Sequence, residues 1–174
     1  MKEIPLSQSL VALVDDEDYE RVAKYKWHVD YGKPRPGRST APYARGYVDG
    51  VHTRMHRFIL SAAKGQLVDH KNPNATLDCR RSNLRFATSG QNSSNSRKRA
   101  GTSSRFKGVS WVKYCHRWRA VIAQYGRWIH LGTFRNEVDA AIAYNKAATK
   151  YFGEFALLND IPLLEMPQAE RLAA

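Results

Sequence analysis

Three strand-length segments rich in aromatic and β-branched residues mark the last third of the chain. They span residues 106–112, 117–124 and 127–134. Segments of this length and composition, bounded by turn residues, predict β-strands, and Tyr125-Gly126 predicts a tight turn between the second and third. Asn136 then offers a helix N-cap, and Gly153 is a typical residue at a helix end. The pattern therefore predicts three antiparallel strands followed by one packed helix.

In the first sixty residues, polar and apolar residues alternate only within short segments, which is typical of short strands joined by turns. Polar and apolar positions alternate loosely from Ile4 to Val14, and the acidic cluster that follows at 15–18 favours the first turn of a short helix. Residues 26–29 and 42–48 have the alternation of strands, Asp49-Gly50 is a turn dipeptide, and residues 55–60 are expected to be helical. The fold class predicted for the whole chain is therefore α+β.

A polar, basic stretch at 91–105 contains few apolar residues and is typical of a helix end that leads into a linker. We therefore predict a boundary near residue 100. The predicted segments are an N-terminal extension at 1–42, a core module at 43–97, a linker at 98–104, a second domain at 105–160 and a frayed tail at 161–174.

Charge narrows the classes of partner. The chain has 28 Lys and Arg residues against 16 Asp and Glu, a net charge of +12, and no acidic residue between Asp78 and Glu137. A one-signed stretch of this length predicts a surface for a polyanion, and nucleic acid is favoured because no basic amphipathic helix accompanies the charge. No apolar run is long enough to cross a membrane, and the N-terminus lacks a signal-peptide pattern, so a cytosolic protein is expected.

The two cysteines, Cys79 and Cys115, lack the spacing of a metal site. We expect no structural zinc and no disulfide, and we interpret both as incidental thiols.

One constellation of residues carries candidate chemistry: Asp69-His70, Asn83 and Asn92. Asp69 and the amide oxygen of Asn92 are hard ligands of the kind that Mg²⁺ prefers, with Mn²⁺ as the alternative. His70 can accept a proton from water near neutral pH, and the carbonyl of Asn83 could fix its tautomer. This set suffices to hydrolyse a phosphodiester. Adjacent Asp69 and His70 would point to opposite faces of a regular strand, so the strand is expected to bend or end there.

These residues, together with Leu84-Arg85, resemble the motif of HNH endonucleases of the ββα-metal fold over residues 43–97. The resemblance implies that Asp69 and Asn92 bind the metal, that His70 is the general base and that Asn83 orients it. Many members end the motif with histidine, whereas Asn92 stands here, as in HNN-type phage homing endonucleases. Asn95 is the alternative ligand if the helix register shifts by three residues. Arg85 is expected to contact phosphate, and His56 is assigned to structure.

The segment 105–160 is similar to an AP2/ERF DNA-binding domain, through Phe106-Lys107-Gly108-Val109-Ser110-Trp111, the later Gly132-Thr133-Phe134 and the alanine-rich helix. That resemblance implies a three-stranded sheet in the major groove of double-stranded DNA. The base preference of the plant proteins is not implied, because several of their arginines are missing. For Trp111, stacking on sugar and internal packing both stay open. The predicted DNA-binding residues of the whole chain are Arg85, Arg97, Lys98, Arg99, Lys107, Ser110, Trp111, Lys113, Arg117, Arg119, Arg127 and His130.

The function predicted from the sequence is a metal-dependent DNA endonuclease of homing or phage type. Its C-terminal domain would bind DNA in a sequence-directed manner. The protein is expected in the cytoplasm of a bacterium or of a phage-infected cell. We expect a monomer that binds neither membranes nor a small-molecule substrate. The alternative from another class is a non-catalytic DNA-binding regulator that retains a nuclease fold. A third hypothesis, an RNA-directed nuclease, is less favoured because A-form RNA hides its major groove.

Overall fold

The computed structural model describes residues 1–32 and 40–171, and the chain divides into two compact units, residues 1–92 and 93–174. The sequence also indicates a basic, proline-containing loop at 32–38, and most of it lies outside the described residues, as does the end of the tail at 172–174. Small antiparallel sheets and a few helices make up both units, which agrees with the α+β class.

The N-terminal unit contains three small antiparallel sheets, and its last helix runs past the boundary between the units. Strands β1 and β2 form one sheet, β3, β4 and β5 the second, and β6 and β7 the third. The elements are β1 (Lys2–Pro5), β2 (Val11–Val14), α1 (Asp16–Ala23), β3 (Trp27–Asp30), β4 (Tyr43–Val48), β5 (Val51–Arg54), α2 (Met55–Ile59), β6 (Leu67–His70), β7 (Leu84–Ala87) and α3 (Ser89–Ser94). The predicted helix beginning at Met55 is confirmed, and so is the turn at Asp49-Gly50, where both residues have positive φ.

Residues 1–32 are part of this unit rather than an extension to it. Ile4, Val14 and Trp27 are buried in the same core as Met55 and Leu84. The Trp27 indole also donates a hydrogen bond of 2.9 Å to the backbone carbonyl of Val22. The sequence pattern did not indicate this because the packing joins strands that are distant along the chain.

The C-terminal unit is a three-stranded antiparallel sheet, in the order β10-β9-β8, packed on one long helix. Its elements are β8 (Val109–Val112), β9 (Arg117–Gln124), β10 (Arg127–Phe134), α4 (Glu137–Phe152) and α5 (Gln168–Arg171). The predicted three strands and helix are confirmed. The first strand, however, begins at Val109 rather than at residue 106.

Gly108 explains the late start of β8. Its φ is +75°, a conformation that favours glycine, and a Cβ there would lie 2.1 Å from the ring of Tyr144. Tyr144 is buried on α4, on the same helix as the buried alanines Ala140, Ala141 and Ala148. The small side chains and the glycine let sheet and helix approach closely.

The described part of the predicted tail is packed rather than frayed. Ile161 is buried in the core of the C-terminal unit, and Lys146 of α4 forms an ion pair with Glu170 of α5 at 2.7 Å. Arg105 forms a further ion pair with Glu165. These long-range contacts leave no periodic signal in the sequence.

None of the helices in residues 1–32 and 40–171 is long and apolar enough to cross a membrane.

Candidate active site

The β6–β7 hairpin carries the residues of the candidate site. Its register pairs Asp69 with Arg85 and His70 with Leu84, and β6 ends at His70. Both Asp69 and His70 are buried, with 7% and 4% of their surfaces exposed. The strand end that the sequence required at this pair is therefore present.

The side-chain amide of Asn83 holds the loop between these two strands. Its Oδ1 accepts a hydrogen bond of 2.9 Å from the backbone N–H of Asn72, and its Nδ2 donates to the carbonyl oxygens of Ala75 (3.2 Å) and Asp78 (2.8 Å). The amide thus bonds to loop backbone and not to the imidazole. The expected direct orientation of His70 by Asn83 is not among these hydrogen bonds and stays a prediction.

His70 packs against two aromatic rings. Its ring centroid is 4.8 Å from that of His56 and 5.8 Å from that of Tyr43, and its Nε2 atom is buried. Burial lowers the pKa of His70 to about 4, against the opposing charge of Asp78 and with a further contribution from Arg54. The imidazole is therefore neutral at pH 7, as a proton acceptor must be.

His56, the second residue of α2, packs directly against this imidazole. It is buried, and burial followed by the charge of His70 lowers its pKa to about 2. Tyr43 completes the cluster, with its ring centroid 5.7 Å from that of His56. The sequence assigned His56 to structure, and the structure places it in contact with the candidate base.

Arg85 contacts Asp69 across the hairpin. Its Nε and Nη2 atoms lie 3.2 and 3.1 Å from Asp69 Oδ2, and both side chains are almost fully buried. A buried carboxylate needs such compensation. The antiparallel register places the Arg85 guanidinium beside Asp69, and the phosphate contact expected from the sequence stays a prediction.

The two asparagines offered as the second metal ligand differ in exposure. Asn92 is exposed on α3, where its backbone N–H donates to Thr88, whereas Asn95 is buried, with 2% of its surface exposed. Over the described ranges, no group of three or more His, Cys, Asp or Glu side chains is arranged to hold a metal ion. A site built here would need amide oxygens beside Asp69.

A cluster of ion pairs around Asp18 also holds the β6–β7 hairpin. Asp18 of α1 is 2% exposed, and its carboxylate accepts from Arg81 (2.7 and 2.9 Å) and from Arg21 (2.7 Å). Arg81 begins the turn Arg81–Asn83, which directly precedes β7. This buried ion cluster ties the start of β7 to the first helix.

The free face of the C-terminal sheet carries part of the predicted DNA-binding set. Register pairs Ser110 with Arg119, whose Nη2 lies 3.4 Å from the hydroxyl, and Arg119 with Thr133. Side chains of directly paired residues point to the same side. His130 and Trp128 follow on the same face, and Trp128, which is 76% exposed, was not among the residues predicted from the sequence. Its alternation with His130 was the available signal.

Trp111 and Lys107 lie elsewhere. Trp111 is paired with Trp118, 5.0 Å between ring centroids, and Trp118 packs against the core. The Lys107 ammonium donates to the carbonyl of Ser94, and burial lowers its pKa to about 8. Neither side chain therefore lies on the free face of the sheet, and their DNA contacts stay predictions.

The remaining predicted contacts are at the margins of the unit. Arg127 is exposed at the turn end of β10, and the strand alternation places it on the same side as Ile129, opposite to His130. Arg117 pairs with Val112, next to the exposed Lys113. The other three residues lie in the irregular segment after α3: Arg97, Lys98 and Arg99.

Fold and site together define a small α+β protein with an acid–histidine pair buried at the end of a hairpin. The chain is 33% identical over 156 residues to an uncharacterised HNH endonuclease of Acanthamoeba polyphaga mimivirus, covering 86% of this chain and 75% of that protein. The chain therefore belongs to the HNH endonuclease family, and this relation indicates a nuclease. HNH endonucleases generally use a divalent metal. No family model matches the chain.

A second similarity is confined to one part of the chain. APETALA2-like protein 2 of rice, in both the indica and the japonica subspecies, is 44% identical over 62 residues. That match covers 34% of this chain and 14% of the rice proteins.

Proposed function

We propose that this protein is a metal-dependent endonuclease that hydrolyses phosphodiester bonds of double-stranded DNA at the β6–β7 hairpin. The observation that carries the proposal is the buried, neutral imidazole of His70 directly after the buried carboxylate of Asp69, in a chain of the HNH family. A neutral imidazole can take the proton of an attacking water, and an adjacent carboxylate can hold a hard cation.

The contacts support one proposed role for each residue. His70 accepts the proton, and the rings of His56 and Tyr43 hold its plane. Asn83 fixes the loop that follows β6 and so acts on His70 through the backbone. Asp69 and Asn92, with Asn95 as the alternative, would hold the metal.

The donor set fits a hard divalent ion, for which Mg²⁺ is proposed, because it consists of carboxylate and amide oxygens without sulfur. Such an ion supplies charge neutralisation at the phosphate and at the leaving oxygen. The Arg85 guanidinium lies 3.1 Å from Asp69 Oδ2 and offsets the charge of this buried carboxylate.

The C-terminal unit is proposed to bind duplex DNA with the free face of its sheet. Support comes from the exposed Arg119, His130 and Trp128, and from the partial similarity to the rice proteins. A β-sheet fits the major groove. Combined with the nuclease unit, such a reader would give an enzyme of the homing or phage type.

The test uses supercoiled plasmid at low salt, because contacts to many phosphates make binding steeply salt-dependent. Wild-type protein with Mg²⁺ is expected to convert the plasmid to nicked or linear form, and EDTA or Asp69→Asn is expected to abolish conversion while gel-shift binding is retained. Binding without conversion by the wild type would instead support the non-catalytic regulator. Preferential cleavage of an RNA duplex would contradict the choice of DNA.

A further inference from the structure

A basic groove of about 830 Å³ opens on the N-terminal unit. Strands β4 and β5 form one wall, and the end of α2 with the segment after it forms the other. Its lining includes Arg45, His52, Thr53, Arg54, Arg57 and Lys64. Cations outnumber the one acid of the lining, Asp30, so the groove is complementary to a polyanion.

Two arginines of the groove are committed to the fold. Arg57 donates to the backbone carbonyls of Ala62, Ala63 and Gln66, and Arg21 is bound to Asp18 and to the carbonyl of Ile59. They fix the shape of the wall at the end of α2.

Three other cations are available to a ligand. Arg54 and Lys64 are exposed, and within the described residues neither side chain makes a hydrogen bond or an ion pair. Arg45, opposite Arg54 in the β4–β5 register, is 3.5 Å from Asp30 and its side chain is 41% exposed. A long, exposed ion pair of this kind is weak and can exchange for a phosphate.

The groove adjoins the candidate site. The guanidinium of Arg54 lies 4.7 Å from the centroid of the Tyr43 ring, and that ring is 5.8 Å from the ring of His70. Arg54 also ends β5 immediately before α2, which carries His56. A backbone bound along Arg45 and Arg54 would therefore run beside the candidate base.

We propose that Arg45, Arg54 and Lys64 form a phosphate-backbone site that seats the DNA segment next to the scissile phosphate. This inference deepens the proposed function and rests on it. All the DNA contacts predicted from the sequence begin at Arg85, so this surface is additional to them. It contacts phosphates rather than base edges, and it therefore contributes affinity and position without sequence preference.

The test measures binding of the full chain to a mixed-sequence 40-base-pair duplex by fluorescence polarisation in EDTA, over a series of NaCl concentrations. Arg54→Gln and Lys64→Gln are compared with Lys24→Gln, an exposed lysine outside the groove. Removal of one cation that neutralises a phosphate lowers the salt slope by about 0.9 and weakens binding about 8-fold at 0.1 M salt. We expect this effect for the two groove variants, no change for Lys24→Gln, and recovery of the slope in Arg54→Lys, which keeps the charge.

Equal salt slopes for the groove variants and Lys24→Gln would overturn the proposal. It would also be overturned if Arg54→Lys, with the same thermal unfolding as wild type, failed to recover the wild-type slope. Binding in EDTA needs no chemistry, so plasmid conversion with Mg²⁺ is scored separately. If the wild type converts the plasmid but the salt slopes of the groove variants are unchanged, the phosphate-backbone site is contradicted and the nuclease is not. Reduced slopes without any conversion by the wild type contradict the nuclease and leave a backbone-binding surface.

Discussion

Acid should destabilise the N-terminal unit through its buried histidines, and His56→Phe isolates the contribution of one of them. Burial lowers the pKa of His56 to about 2, whereas an unfolded chain titrates histidine near 6.5. Below pH 6.5 the unfolded state binds a proton that the folded state does not, so the free energy of unfolding falls as the pH falls. The contribution of the neutral His56 to the free energy of unfolding is therefore fully present above pH 6.5 and is lost progressively below it.

The magnitude follows from the pH interval. Between pH 6.5 and pH 5.0 the difference is about 1.5 pH units, which at about 1.36 kcal/mol per unit gives about 2 kcal/mol for His56. His70, whose pKa is lowered to about 4, adds a loss that wild type and variant share. Carboxylates with lowered pKa, such as Asp18 and Asp78, contribute mainly below this interval because their unfolded value is 3.8.

The assay is urea unfolding at pH 7.5 and pH 5.0, read by hydrogen exchange separately over residues 1–92 and 93–171, in EDTA. The pH-dependent loss in the N-terminal unit is expected to be about 2 kcal/mol smaller in His56→Phe than in wild type. The C-terminal unit is the internal control, since its shifted groups, Lys107 with a pKa of about 8 and Tyr144 with a pKa raised by burial, titrate above this interval. An equal pH-dependent loss in the two proteins would refute the reasoning.

Three further substitutions test contacts of the fold. Gly108→Ala should lower the melting temperature of the C-terminal unit, with a cost of about 3 kcal/mol, because the new methyl group meets Tyr144 at a positive φ; an unchanged melting temperature would contradict the close approach. Asp18→Asn should cost about 2 kcal/mol in urea unfolding, because the half-exposed Arg21 and Arg81 lose the buried carboxylate that accepts their hydrogen bonds, while Asp16→Asn at an exposed site should cost far less; equal costs would argue against the ion cluster. Asn83→Ala should raise hydrogen exchange in the loop 71–83 and cost about 3 kcal/mol for its three hydrogen bonds; unaltered exchange would contradict its role in the loop.

Local pattern was sufficient for much of the C-terminal unit. Aromatic and β-branched residues with a period of two predicted β9 and β10 at their observed bounds, and Asn136 and Gly153 bracket α4. The start of β8 was not predictable, because it depends on the Tyr144 ring packed over Gly108.

The candidate site divides in the same way. The residue types of the motif identified Asp69 and His70, and the structure buries both at the end of β6. The partners of Arg85 and Asn83 depend on strand register and loop closure, which the sequence does not reveal. The roles of His70, Asn83, Asp69 and Asn92 in chemistry stay predictions.

Single-turnover cleavage of plasmid DNA with Mg²⁺ tests the central claim most directly. If His70 is the general base, His70→Ala, assayed below its melting temperature, should cleave at least about 100-fold more slowly than wild type, with DNA affinity in EDTA little changed. Cleavage by His70→Ala at the wild-type rate would contradict the assignment of the hairpin as the active site.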